Sequence, residues 1–246
     1  MNQASSDKPL RRNGFTFKQF FVAHDRCAMK VGTDGVLLGA WAPVANAQHI
    51  LDIGSGSGLV ALMLAQRSPA ANIDAVELEA SAAQQANENF IESPWAERLH
   101  VFAEDINQFA LTHAQHYDVI VSNPPYFESA VACRDEARTT ARYTETLTHD
   151  ALLDCARALI KPDGQFCVVL PYDIGLAFER NAQSRGWFTG QRVDIRDRPG
   201  KPLNRMLLAL SLHPQQAIVQ ELAIREELNV YSNEFRQLIT DFYLNY

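Results

Sequence analysis

The sequence predicts a doubly wound α/β fold, a mostly parallel sheet with helices on both faces. Short apolar runs of strand length alternate with helical periods from residue 50 onward. A glycine-rich turn joins the first of these strands to a helix, and an acidic residue stands at or just past the end of each of the first three strands. Alternation of this kind is what a parallel sheet with crossover helices requires. With 246 residues, 47% hydrophobic content and no repeat or low-complexity tract, the chain can bury one substantial core. The expected organisation is one domain over 1–246, with an N-terminal extension over 1–45 and the α/β core over 46–246.

Ile50-Leu51-Asp52-Ile53 is the first strand, and Gly54-Ser55-Gly56-Ser57-Gly58 follows it directly. Leu59, Val60, Leu62, Met63 and Leu64 then set a helical period that runs to about Arg67. Ile73 to Val76 is a second strand ending in Glu77, and Ser81 to Ile91 is an alanine-rich helix. Arg98 to Ala103 reads as a third strand, with Glu104-Asp105-Ile106 after it. Tyr117 to Ser122 is a buried strand that opens onto Asn123-Pro124-Pro125-Tyr126. Phe127 to Thr148 has no clean period and reads as a mobile segment. A helix from about His149 to Ile160 stops at the turn signal Lys161-Pro162-Asp163-Gly164, and Gln165 to Leu170 is a strand ended by Pro171. Asp173 to Ser184 is helical; Trp187 to Ile195 and Arg205 to Leu212 form an antiparallel pair across the Arg196–Asn204 loop. Ala217 to Arg225 adds a strand and Ser232 to Leu244 a closing helix. Upstream, Thr33 or Asp34 can cap a helix through Val36–Ala42, a stretch that Pro43 ends and that is too short to cross a bilayer.

The chemistry concentrates at three places. Strand, glycine turn and helix together let a ligand approach bare backbone at a helix N-terminus. The spacing is neither GxGxxG nor a phosphate loop, because Gly58 falls one residue early for the first and Leu59-Val60 stand where the second needs lysine. Glu77 lies nineteen residues beyond Gly58, near the interval at which a carboxylate accepts from both hydroxyls of a ribose. In Asn123-Pro124-Pro125-Tyr126 the prolines fix the backbone and remove two amide donors while leaving their carbonyls free. Asn123 adds a side-chain carbonyl and Tyr126 a flat ring. Such a cluster suits a planar group bearing an NH2, whether the exocyclic amine of a nucleobase or a side-chain carboxamide.

Asn123-Pro124-Pro125-Tyr126 resembles the NPPY signature of amino-group methyltransferases that use S-adenosylmethionine, and Asp52-x-Gly54-x-Gly56-x-Gly58 resembles motif I of the class I methyltransferases. The run from Arg11 through Gly35 closely resembles the bacterial tRNA(Val) anticodon-loop adenine N6-methyltransferases, as do Ser93 to Arg98 and the stretch from Glu136-Ala137-Arg138 through Tyr143-Thr144. The resemblance spans nearly the full chain and thins from Arg196 to the C-terminus. It implies a Rossmann-like sheet of seven strands and S-adenosylmethionine as cofactor. By that resemblance Lys30, Thr33, Asp52, Gly54, Gly56, Gly58, Glu77, Asp105 and Asn123 contact the cofactor, with Asp105 accepting from its adenine amine. Residues 1–45 then include the segment that covers the cofactor, with Gly32 and Asp34 beside it. Asn123, Pro124 and Tyr126 are the implied catalytic residues, and the implied substrate is the adenine just 3′ of the anticodon. A protein glutamine methyltransferase and an adenine methyltransferase of another RNA are the alternatives within the same motif. The first of these carries an N-terminal helical domain for which fewer than fifty residues leave no room. DNA is not expected as substrate, since no segment is long enough for a target-recognition domain. A non-catalytic RNA-binding protein on this fold is opposed by the complete set of motif residues.

A net charge of −7 hides two basic segments. Lys8, Arg11, Arg12, Lys18, Arg26 and Lys30 face Asp25 alone, and Phe15, Phe17, Phe20 and Phe21 interleave with them. Arg185, Arg192, Arg196, Arg198, Lys201 and Arg205 face Asp194 and Asp197. Local basic segments on an acidic body are the pattern of a protein that docks phosphates, so Arg11, Arg12, Lys18 and Arg26 are the expected RNA contacts. Cys27, Cys133, Cys155 and Cys167 lack metal-ligand or disulfide spacing, and no metal is expected. The N-terminus lacks a signal-peptide pattern, so a cytoplasmic monomer without membrane contact is expected.

Overall fold

The computed structural model describes residues 13–114, 116–125 and 147–245. Arg11, Arg12, Tyr126, Cys133, the blocks at Glu136–Arg138 and Tyr143–Thr144, and most of the Phe127–Thr148 segment lie outside the described residues.

The chain opens with an antiparallel hairpin, β1 (Gly14–Thr16) and β2 (Phe21–Ala23), ahead of α1 (Thr33–Trp41). The doubly wound part runs β3 (His49–Ile53), α2 (Leu59–Arg67), β4 (Asn72–Val76), α3 (Ala80–Ile91) and β5 (Leu99–Phe102). After it come α4 (Ile106–Phe109), β6 (Tyr117–Ser122), α5 (His149–Leu159), β7 (Ile160–Pro171) and α6 (Tyr172–Ser184). The tail is β8 (Phe188–Arg196), β9 (Leu203–Ser211), β10 (Ile218–Ala223) and α7 (Asn233–Ile239).

The sheet has eight strands in the order β10-β8-β9-β7-β6-β3-β4-β5. From β5 to β7 all neighbours are parallel; β9 is antiparallel to both β7 and β8, as the sequence predicts. The implied count of seven falls one short, because β10 adds a parallel edge strand on β8 and buries Leu222. Side-chain alternation sorts each strand between two cores: Ile50, Val119 and Val121 face one, Leu51, Ile53 and Ile120 the other. Helices α1, α2 and α7 cover the first core, and α4, α5 and α6 the second.

Three expectations change. Lys161-Pro162-Asp163-Gly164 does not end in a turn; it is a bulge inside β7, where pairing jumps from Tyr117↔Ile160 to Val119↔Gln165. Gly164 is needed there because a Cβ would stand 2.9 Å from the Asp118 carbonyl, and Lys161 Nζ meets Asp118 Oδ1 at 2.7 Å. Helix α7 is shorter than expected, beginning where Ser232 Oγ accepts from Phe235 N at 3.1 Å. At α1 the cap position is Gly32, one residue ahead of Thr33, and the cap residue makes no side-chain bond. Of the N-terminal aromatics, two belong to the core, a role the sequence leaves open beside RNA contact. Phe17 and Phe20 are buried with ring centroids 4.5 Å apart, packed with Phe15, Trp95 and Tyr243. Burial of this much aromatic area is what fixes so short a hairpin to the domain.

Candidate active site

The order of β3 between β4 and β6 makes the carboxyl end of β3 the point where the winding reverses, which is where an open α/β sheet leaves a crevice. The glycine turn occupies it. Gly54, Gly56 and Gly58 all have positive φ, at 71°, 54° and 78°. Added Cβ atoms on Gly54 and Gly56 would meet nothing within 4 Å, so this backbone is open to a ligand. Gly58 serves differently. It is the left-handed N-cap of α2, and a Cβ there would stand 2.4 Å from the Phe90 ring of α3. The structure therefore puts Gly58 against a helix and outside the lining of the crevice.

A cavity of about 360 Å³ lies over the turn. Its walls bring together Lys30, Gly32, Thr33 and Asp34 of the cover segment, Asp52, Gly54 and Gly56 of the strand and turn, and Asn123. Asp52 is buried, and its Oδ2 accepts from Ala61 N at 3.2 Å, so it also fixes the first turn of α2. Burial pushes its carboxyl up to about 7, because little in its surroundings compensates the charge. Ser55 Oγ and Asn123 Oδ1 are both buried without a hydrogen-bond partner among the described residues. Unpaired buried acceptors are uncommon in folded proteins and mark where a ligand donor belongs. Ser122 Oγ, just before Asn123, donates to Ile53 O at 2.9 Å and ties the end of β6 to that of β3.

A smaller cavity of about 40 Å³ shares Gly54 with the first. Ile53, Val76, Leu78, Ile106 and Leu147 give it apolar walls, and Glu77, Glu104 and Asp105 give it carboxylates. Glu77 is buried; its Oε2 accepts from Gly56 N at 2.8 Å and its Oε1 from Glu79 N at 2.9 Å. Asp105 caps α4, with Oδ1 accepting from Asn107 N and Asn107 Nδ2, each at 2.7 Å. Two cavities meet at Gly54, the larger lined by glycine backbone and polar side chains, the smaller mostly apolar with carboxylates at its wall.

Three residues matter here that the sequence does not single out. Arg205 of β9 lines the larger cavity and pairs with Asp34, fastening the start of α1 across 171 residues. Asn89 of α3 is buried and makes three bonds: its Oδ1 accepts from Ala23 N at 3.0 Å, and its Nδ2 donates to Ala23 O at 2.9 Å and Ser57 O at 2.8 Å. Gln85, one turn earlier, accepts from Arg26 N at 3.0 Å and donates to Asp25 Oδ1 at 2.7 Å. Together Asn89 and Gln85 lock the segment after the hairpin onto the glycine turn. A buried Asn and Gln four apart on an alanine-rich helix were the available signal, but nothing local says what they bind.

The expected RNA contacts that can be placed are not at the cavity. Lys18 Nζ donates to Thr240 O at 2.5 Å, and Arg26 is ion-paired with Glu88. Cys27, Cys155 and Cys167 are free thiols, and burial pushes Cys27 up to about 12. Among the described residues there is no cluster that could hold a metal ion and no helix long and apolar enough to cross a membrane.

An open glycine turn after the first strand of this sheet, three carboxylates in order and an unpaired asparagine acceptor are what a methyltransferase site calls for, and a family match shows that class. The family model of the methyltransferase small domain matches residues 29–178. A predicted O-methyltransferase from Agrobacterium tumefaciens superposes with a TM-score of 0.69 at 18% identity, over 85% of this chain and 96% of its own. Pyrococcus horikoshii TYW2 in complex with MeSAdo gives 0.52 at 15% identity, over 78% and 66%. More specifically, tRNA1(Val) (adenine(37)-N6)-methyltransferases of Yersinia pestis and Yersinia pseudotuberculosis are 65% identical over 245 residues, 99% of this chain and 99% of each relative. The chain belongs to that family.

Proposed function

We propose that this protein methylates N6 of adenine 37, next to the 3′ side of the anticodon, in the anticodon loop of tRNA1(Val), acting as a cytoplasmic monomer. The observation that carries the reading is Asn123 Oδ1, a buried and unpaired acceptor on the wall of the cavity over the open glycine turn. S-adenosylmethionine, when bound, supplies a methyl group on a positively charged sulfur. Asp52, Gly54, Gly56 and the Lys30–Asp34 segment would hold its amino-acid end, and Glu77 and Asp105 its ribose and adenine.

Adenine N6 is a poor nucleophile because its lone pair is delocalised into the ring. Asn123 Oδ1 and the Pro124 carbonyl each accept one N6 hydrogen, drawing the nitrogen toward tetrahedral geometry and localising that pair. Tyr126 supports the base by stacking. Positioning and fixed acceptor dipoles then provide most of the acceleration. The methylated ammonium loses its proton to water, so no strong general base is called for. The test is transfer of labelled methyl to total tRNA from a deletion strain, followed by nucleoside analysis. N6-methyladenosine in tRNA1(Val) is expected; label in the protein fraction alone would overturn the reading.

The raised carboxyl of Asp52 predicts a pH dependence. A folded-state value near 7, above the ordinary carboxylate value of 3.8, means that stability is fully present below about 4. It is lost as pH rises toward about 7, because the unfolded chain ionises there while buried Asp52 holds its proton. A bound cation favours the ionised form, so cofactor affinity should fall by about tenfold for each pH unit below 7. Calorimetry between pH 5.5 and 8 checks this (pH values roughly bracketing that midpoint), with Asp52→Asn as a weaker but flat control. An affinity independent of pH in the unsubstituted protein would remove Asp52 from contact with the cofactor's charge.

A further inference from the structure

The basic residues between 185 and 205 are distributed unequally about the site. Arg185 pairs with Asp150 and Asp154, and Arg192 with Glu179 and Asp194. The rest gather at the turn between β8 and β9. Pro171, where β7 ends, pairs with Arg205, where β9 has just begun, so this turn leaves the sheet at the same edge as Asn123. Its geometry is built: Gly200 has φ 77°, Lys201 N donates to Arg198 O at 3.1 Å, and Arg196 Nη1 donates to Lys201 O at 3.2 Å. Arg225 Nη1 donates to Asp197 Oδ1 at 2.6 Å and braces the turn from beyond β10. Lys201 is exposed and has no ion pair among the described residues, and Arg198 meets only its neighbour Asp197. Lys201 stands four positions before Arg205, which lines the larger cavity; extended, that is at most ~13 Å.

We propose that the β8–β9 turn, through Lys201 and Arg198, docks the RNA phosphates that flank the target adenine. This rests on the reading of the chain as a tRNA methyltransferase. A braced turn carrying an exposed lysine and a half-buried arginine, a short reach from an unpaired acceptor, suits a polyanion whose one unstacked base enters the cavity. In the N-terminal segment Lys18 donates to Thr240 O and Arg26 is paired with Glu88.

The experiment compares Arg198→Glu/Lys201→Glu with the unsubstituted protein and with Arg180→Glu, an exposed residue of α6. Steady-state methylation of tRNA1(Val), filter binding across a salt series and calorimetry with S-adenosylmethionine are read together. Expected are an apparent KM for tRNA raised about tenfold, a salt slope of log K shallower by about two, and unchanged kcat and cofactor affinity. Arg180→Glu should match the unsubstituted protein. Unchanged tRNA KM and slope in the double variant, or an equal effect of Arg180→Glu, would overturn the proposal. Failure of the unsubstituted protein to methylate tRNA would instead overturn the functional reading, and the docking site with it.

Discussion

Asn123→Ala is expected to lower methyl transfer to tRNA by about 10²–10³-fold, the range seen when one hydrogen-bonding group aimed at developing charge is removed. Cofactor affinity should fall far less than transfer, although Asn123 lines the same cavity. The fold should also tolerate it, since Ser122, which ties β6 to β3, is untouched. Single-turnover rates beside calorimetric cofactor affinity separate the two effects. Tyr126 extends the test from sequence chemistry alone: Tyr126→Phe keeps the ring and should retain much of the activity, while Tyr126→Ala should lose about 1–3 kcal/mol of base stacking. Near-normal methylation by Asn123→Ala would sink the mechanism.

The outcome bears on how much of such a site can be read from sequence. The strand ends were legible because local rules govern them. Tyr117–Ser122 is a strand in full, α2 runs Leu59–Arg67 as its period demands, and Asp52, Glu77, Asp105 and Asn123 all reach the two joined cavities. What escaped depends on distant partners. Arg205 belongs to the site only because β9 runs antiparallel to β7 and brings it opposite Asp34. Asn89 acts through the Ala23 and Ser57 backbones, which no periodicity connects.

Charge is legible in a sequence, but which charges stay available is not. At the basic, aromatic N-terminus Glu88 on α3 pairs with Arg26, and Phe17 and Phe20 are buried in the core. Composition counts charges; only the fold says which remain available.

Glu77→Gln carries the second large expected effect, and it tests whether one side chain serves both turn and cofactor. The carboxylate accepts through both oxygens, from Gly56 N and from Glu79 N. A glutamine has one acceptor oxygen, so its NH2 must oppose one of those two N–H donors. Losing a buried bond to a charged acceptor costs about 1.5–3 kcal/mol. Because Gly56 lies in the open backbone of the larger cavity, most of that loss should reach cofactor binding and weaken it about 10–150-fold. The part of that energy lost from the fold itself should lower melting of the cofactor-free protein by roughly 2–4 °C per kcal/mol in a domain of this size. A carboxylate that only gripped the ribose would lower affinity and leave the cofactor-free melting temperature alone. One that only held the turn through Glu79 would lower melting and leave affinity alone. Calorimetry and thermal unfolding on the same variant distinguish all three, and unchanged affinity would take Glu77 out of the cofactor site.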